Sequence, residues 1–171
     1  MRRYIRSSRP HPVPAVGYDL FDTAATESGF TLDDAQQRAA TALAGTDNLY
    51  LWGPVGRGKS WLMATYVAAL PADRTLRLHF HEFFRDLHPA IRRHGHRLDA
   101  ALHDLLGTAD VVCFDEFHVH DPADGIFIAR LLPALFERNI RVVLTSNYPP
   151  SGLLPNPLFH DMFVPTIELI E

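Results

Sequence analysis

One octapeptide constrains this chain more than any other feature: Gly53-Pro54-Val55-Gly56-Arg57-Gly58-Lys59-Ser60, set between an apolar run at residues 49–52 and helical periodicity over 60–70. It fits G-x-x-x-x-G-K-[ST] in full, in the strand-then-helix context that a phosphate-cradling loop needs. Glycines let successive backbone N–H groups turn inward around an anion, where side chains would block the approach. The helix starting near Ser60 adds its partial positive charge. In such a loop Lys59 bridges the outer phosphates and the Ser60 hydroxyl binds Mg2+. The basic composition sharpens the point, because all but one of the 16 basic residues are Arg and the single Lys is Lys59.

At 171 residues and 47% hydrophobic, the chain suits one well-packed domain. No stretch approaches the roughly 20 apolar residues of a membrane span, and the N-terminus lacks the apolar core of a secretory signal. The expectation is a soluble, cytoplasmic protein. Cys113 is the only cysteine; between Val112 and Phe114 it reads as core filling in a reducing compartment. A net charge of −4 argues against a globally basic nucleic-acid-coating protein, and no clear nucleic-acid site is visible. Residues 1–18 differ: Arg2, Arg3, Arg6 and Arg9 stand with three prolines and no acid before Asp19. Residues 1–28 are therefore read as a basic, proline-containing arm, solvated by default and with peripheral membrane contact as the sharper option, ahead of a core at 29–171.

Within the core, Thr31-x-x-Asp34 reads as a helix start, with helical spacing to Gly45. Strands are expected at 49–52, 75–81, 111–114 and 141–145, with a last one at 166–170. Helices are expected at 60–70, 82–93, 98–106 and 123–138, the last kinked or split by Pro133. This alternation implies an α/β fold in three layers around a central parallel sheet, with right-handed crossovers.

Asp115-Glu116 closes an apolar strand. Standing alone, the pair would read as a solvated acidic turn. Downstream of a phosphate loop, it suits a division of labour in which Asp115 completes the Mg2+ shell and Glu116 polarises the attacking water. Asn147 follows another apolar strand, so in a parallel sheet it emerges at the same edge as Asp115. There it either orients water or simply begins the turn before Pro149-Pro150. The pairs His79/His81 and His118/His120 read as packed or surface histidines, since no second cluster offers tetrahedral spacing.

Several stretches together carry a family likeness: Phe30-x-Leu32-Asp33, residues 49–61, His79-Phe80-His81-Glu82-Phe83, Cys113-Phe114-Asp115-Glu116-Phe117 and Ala134-Leu135-Phe136-Glu137-Arg138. The chain resembles the ZapE family of AAA+ ATPases, bacterial cell-division proteins with mitochondrial relatives. The likeness spans about residues 29–171. It implies an AAA+ P-loop NTPase core that binds ATP and Mg2+, with Lys59 and Ser60 as Walker A residues, Asp115 and Glu116 as Walker B, and Asn147 at sensor 1. It also implies ring-like homo-oligomers, hydrolysis between subunits and a protein partner at the division septum.

Two departures qualify that expectation. Where family members carry an arginine after the Pro-Pro loop, this chain reads Leu158-Phe159-His160-Asp161-Met162-Phe163, and His160 is a poor replacement for a fixed positive charge. The family also continues into an arginine-bearing lid, which this chain is expected to lack. The alternatives are a nucleotide-binding module with little turnover and a small-molecule P-loop kinase, although no Arg-rich kinase lid is evident. A GTPase is disfavoured because N-K-x-D needs a second lysine.

Overall fold

In a computed structural model, residues 13–171 are described; the basic cluster Arg2–Arg9, with the arm reading attached to it, lies outside them. Four strands, β1 (Leu49–Trp52), β2 (Thr75–His79), β3 (Val111–Asp115) and β4 (Arg141–Ser146), form one parallel sheet in the order β1-β4-β3-β2. Every residue of β3 and β4 is buried, which explains the unbroken apolar runs: a central parallel strand is covered on both faces. Side chains alternate between those faces. Leu49, Leu51, Val111, Cys113 and Val143 join one cluster, while Tyr50, Val112, Phe114, Val142 and Leu144 join the other.

The first cluster is covered by α1 (Asp19–Glu27), α2 (Asp34–Ala44) and α3 (Lys59–Ala68) through Phe21, Leu43, Leu62, Met63 and Tyr66. The second is covered by α4 (Phe80–Arg93), α5 (Leu98–Leu106), α6 (Pro122–Phe136) and α7 (His160–Ile170) through Phe83, Leu102, Leu131, Leu135 and Phe163. The expected three layers are present.

Four local differences from the sequence expectation have physical causes. The described part of the first 28 residues contains α1, whose Phe21 and Ala25 are buried one turn apart. The start of α2 is capped by Asp33 in place of Thr31: its carboxylate accepts from the Ala35 and Gln36 amides at 2.9 and 2.8 Å, and the Gln36 side chain accepts from the Asp33 amide at 2.9 Å. Strand β2 stops at His79, so His81 lies on α4 and does not share a strand face with His79. Residues 166–170 are the end of helix α7 and not a strand. Their β-branched content favours a strand locally, but Phe163, Thr166, Ile167 and Ile170 are the buried positions, at helical spacing, and tertiary packing wins. Pro133 lies inside α6 without splitting it.

Cys113 is fully buried, and burial pushes its thiol up to about 12. In native protein at pH 8 it should therefore remain unmodified by a thiol reagent that labels it fully after denaturation. Rapid labelling of the native chain would contradict its placement in the core.

Candidate functional site

Strand β1 ends at the octapeptide, and the Gly53 amide donates to Ser146 O at 3.2 Å, fixing the loop's root to the end of β4. Gly56 and Gly58 both take φ +78°, a left-handed conformation that side chains resist. At Gly58 a Cβ would also come within 2.9 Å of Gln36 Nε2. The loop's outer side is braced by α2, since Arg57 pairs with Asp33 at 2.9 Å. The amides of Gly56, Gly58, Lys59 and Ser60 donate to no other described residue. They lie at the unsatisfied N-terminus of α3, where an anion is favoured.

Lys59 is 8% exposed. Its ammonium donates to Gly53 O at 2.6 Å, Pro54 O at 2.8 Å and Asn147 Oδ1 at 3.1 Å. Burial holds its pKa below the ordinary lysine range. The loop's own carbonyls thus hold the cation against the strand ends. Asn147, at the end of β4, is brought into direct contact with the lysine as the parallel topology requires.

A cleft of about 250 Å3 opens over this loop, lined by residues 55–61 together with Glu116, Thr145, Ser146 and Asn147. Trp61 forms part of the wall and packs edge-on against Phe30, with ring centroids 5.0 Å apart. Glu116 is exposed to the cleft and adopts φ +60°. For a residue with a Cβ that conformation costs about 1–3 kcal/mol. It is held by the Glu116 amide donating to Thr145 Oγ1 at 3.2 Å and by the Phe117 amide donating to Thr145 O at 2.7 Å.

Asp115 behaves differently from its neighbour. It is 3% exposed and does not line the cleft. Thr145 Oγ1 donates to its Oδ1 at 2.9 Å, while Arg77 donates to its Oδ2 from Nε at 2.9 Å and from Nη2 at 2.6 Å. Arg77 Nη2 also lies 3.4 Å from Ser60 O. Of the two residues expected to hold metal, Ser60 therefore stands in the open cleft and Asp115 is enclosed beside it.

Sequence reasoning missed Arg77 and the bridging role of Thr145. The available signal was register: β2 pairs with β3 so that His79 aligns with Asp115 and Arg77 with Cys113, leaving Arg77 one strand away and within reach of the acid. Sequence separation hid that neighbour. The His118 and His120 rings lie 5.3 Å apart. Among the described residues, no group of three or more His, Cys, Asp or Glu is arranged to hold a metal ion.

The AFG1-like ATPase family model matches residues 21–171. The chain is 42% identical over 126 residues to the cell division protein ZapE of Escherichia coli K12, covering 72% of this chain and 34% of ZapE. It is 32% identical over 140 residues to lactation elevated protein 1 homolog B of Danio rerio, covering 71% and 27%. The chain thus spans between about a quarter and a third of the length of these curated relatives. Among solved structures, DnaI superposes with a TM-score of 0.63 at 19% identity, covering 91% of this chain and 89% of DnaI. AMPPCP-bound DnaA from Aquifex aeolicus gives 0.59 at 14%, covering 81% and 47%. Those likenesses show the fold, an α/β core around a parallel sheet. Taken with the family match over nearly the whole chain, they show that this protein belongs to the AFG1-like ATPase family.

Proposed function

We propose that this chain binds ATP and hydrolyses it with Mg2+, in the cytoplasm, as the nucleotide-driven core of a protein-remodelling machine acting in cell division. The observation carrying the proposal is the loop itself: four unsatisfied amides at a helix N-terminus beside a buried, pre-positioned ammonium. That arrangement matches a polyphosphate in charge and in hydrogen-bonding demand.

In this reading residues 53–60 cradle the triphosphate. The hydroxyl of Ser60 and the carboxylate of Asp115 are hard oxygen donors of the kind magnesium takes; they would hold the ion, which would supply positive charge beside the phosphates. Glu116, in the open cleft, polarises the attacking water, and Asn147 orients it while keeping its bond to Lys59. Adenine preference rests on the family likeness and on the missing N-K-x-D guanine motif, since Lys59 is the single lysine. A ring-like homo-oligomer and a protein partner at the septum complete the proposal, on the strength of the ZapE likeness.

A second reading, a binding module with little turnover, draws support from His160. It occupies the position where an arginine was expected, and its Nδ1 lies 3.1 Å from Leu154 O. Phosphate release from ATP with Mg2+ separates the two. Hydrolysis should be measurable in the wild type and fall by about 100-fold or more in Glu116→Gln, with nucleotide affinity retained. Equal, negligible release in both proteins despite tight binding would favour the binding module. Release only on adding an acceptor molecule would point to a kinase.

A further inference from the structure

The enclosed state of Asp115 leads beyond this assignment. Both of its oxygens already accept from protein donors, Oδ1 from Thr145 and Oδ2 from two nitrogens of Arg77. The two members of the ion pair are unequally placed: the Asp115 side chain is 5% exposed and that of Arg77 is 35% exposed. A buried carboxylate needs a cation beside it, whereas a partly exposed guanidinium can give up its partner and be solvated by water. A divalent ion and a guanidinium on the same enclosed carboxylate repel each other strongly. The acid therefore has one favoured cation at a time.

We propose that Arg77 is an electrostatic latch: its guanidinium competes with a metal ion for Asp115, and binding of magnesium nucleotide requires this pair to open. This rests on the reading of Ser60 and Asp115 as the metal's holders. Arg77 is a positioning residue here, acting through Asp115. Its contact with Ser60 O places the latch across both halves of that site, so opening it frees the carboxylate beside the helix that bears the hydroxyl. By linkage, a contact that the bound metal must break opposes the binding of that metal. The latch thus sets the magnesium concentration at which nucleotide is retained.

The test uses a fluorescent, non-hydrolysable ATP analogue titrated with Mg2+, alongside the melting temperature of the ligand-free chain. For Arg77→Gln, the ligand-free protein should melt lower, and the half-saturating Mg2+ concentration should fall by about fivefold to tenfold. Affinity for the analogue in EDTA should stay within about twofold of wild type, since no metal then competes for the carboxylate. Arg77→Lys keeps the cation with fewer well-placed donors; it should shift the Mg2+ requirement in the same direction by less, and it serves as the test should the Gln variant not fold. An unchanged or raised Mg2+ requirement in the folded variants would overturn the latch and leave Arg77 as a fixed prop in both states. Failure of the underlying assignment looks different: the wild-type chain itself would bind the analogue with no dependence on Mg2+, or not at all, and the latch would fall with it.

Discussion

Lys59→Ala should lower ATP affinity by about 100-fold or more, the order expected when charge-assisted contacts to phosphate are lost. The wild-type ammonium is not a mobile surface group that another cation could replace. It is 8% exposed, and three oxygens fix its position, two of them carbonyls of the loop that it would help close over phosphate. Truncation removes the cation and also leaves Gly53 O and Pro54 O without that donor, which loosens the loop before any nucleotide arrives. Equilibrium titration with a fluorescent ATP analogue, with circular dichroism to establish that the variant is folded, measures the loss. A change below about threefold, well under the value of one charge-assisted bond, would remove Lys59 from the binding account.

The second large effect concerns the fold. Arg141 is fully buried at the start of β4. It donates to Asp47 O at 2.8 Å, Leu43 O at 2.8 Å and Ala42 O at 3.1 Å, and its guanidinium carbon stands 4.9 Å from the centre of the Tyr66 ring. Those carbonyls lie at or just beyond the C-terminal end of α2, where the helix dipole is negative. The buried cation thus joins α2, α3 and the sheet, and α2 in turn braces the phosphate loop through Asp33 and Arg57. Arg141→Met keeps much of the volume but leaves Leu43 O and the Tyr66 hydroxyl without their buried donor, while Ala42 O keeps the Gly45 amide at 3.3 Å. We expect a loss of about 3 kcal/mol, since each buried polar group left unpaired costs about 1–3, and a melting temperature lower by roughly 10 °C for a chain of this size. A shift of less than about 3 °C, roughly 1 kcal/mol, would show that those groups find other partners at little cost.

These two residues mark the boundary of what could be read before the structure. Lys59 was legible because a phosphate loop is local: eight consecutive residues carry the glycines, the cation and the hydroxyl. The sheet was legible for a similar reason, since Val111–Asp115 and Arg141–Ser146 are covered on both faces and leave continuous apolar runs. Arg141 and Arg77 were not, because each is one arginine among many and its meaning lies in partners far along the chain, Ala42 and Leu43 for one and Asp115 for the other. Helix α1 was lost because its apolar residues are few and its surroundings polar; only the docking of Phe21 and Ala25 identifies it. At residues 166–170 the error was one of period, where β-branched side chains outweighed a helical spacing that a longer window would have shown.

Main-chain amides at residues 56–60 are the proposed grip on phosphate, and amide hydrogen exchange with and without MgATP observes that grip directly. Exchange at Gly56, Gly58, Lys59 and Ser60 should slow markedly when nucleotide is added, with Glu116→Gln protected to the same degree as wild type. Nucleotide binding accompanied by protection elsewhere in the chain, with these four amides exchanging as before, would contradict it.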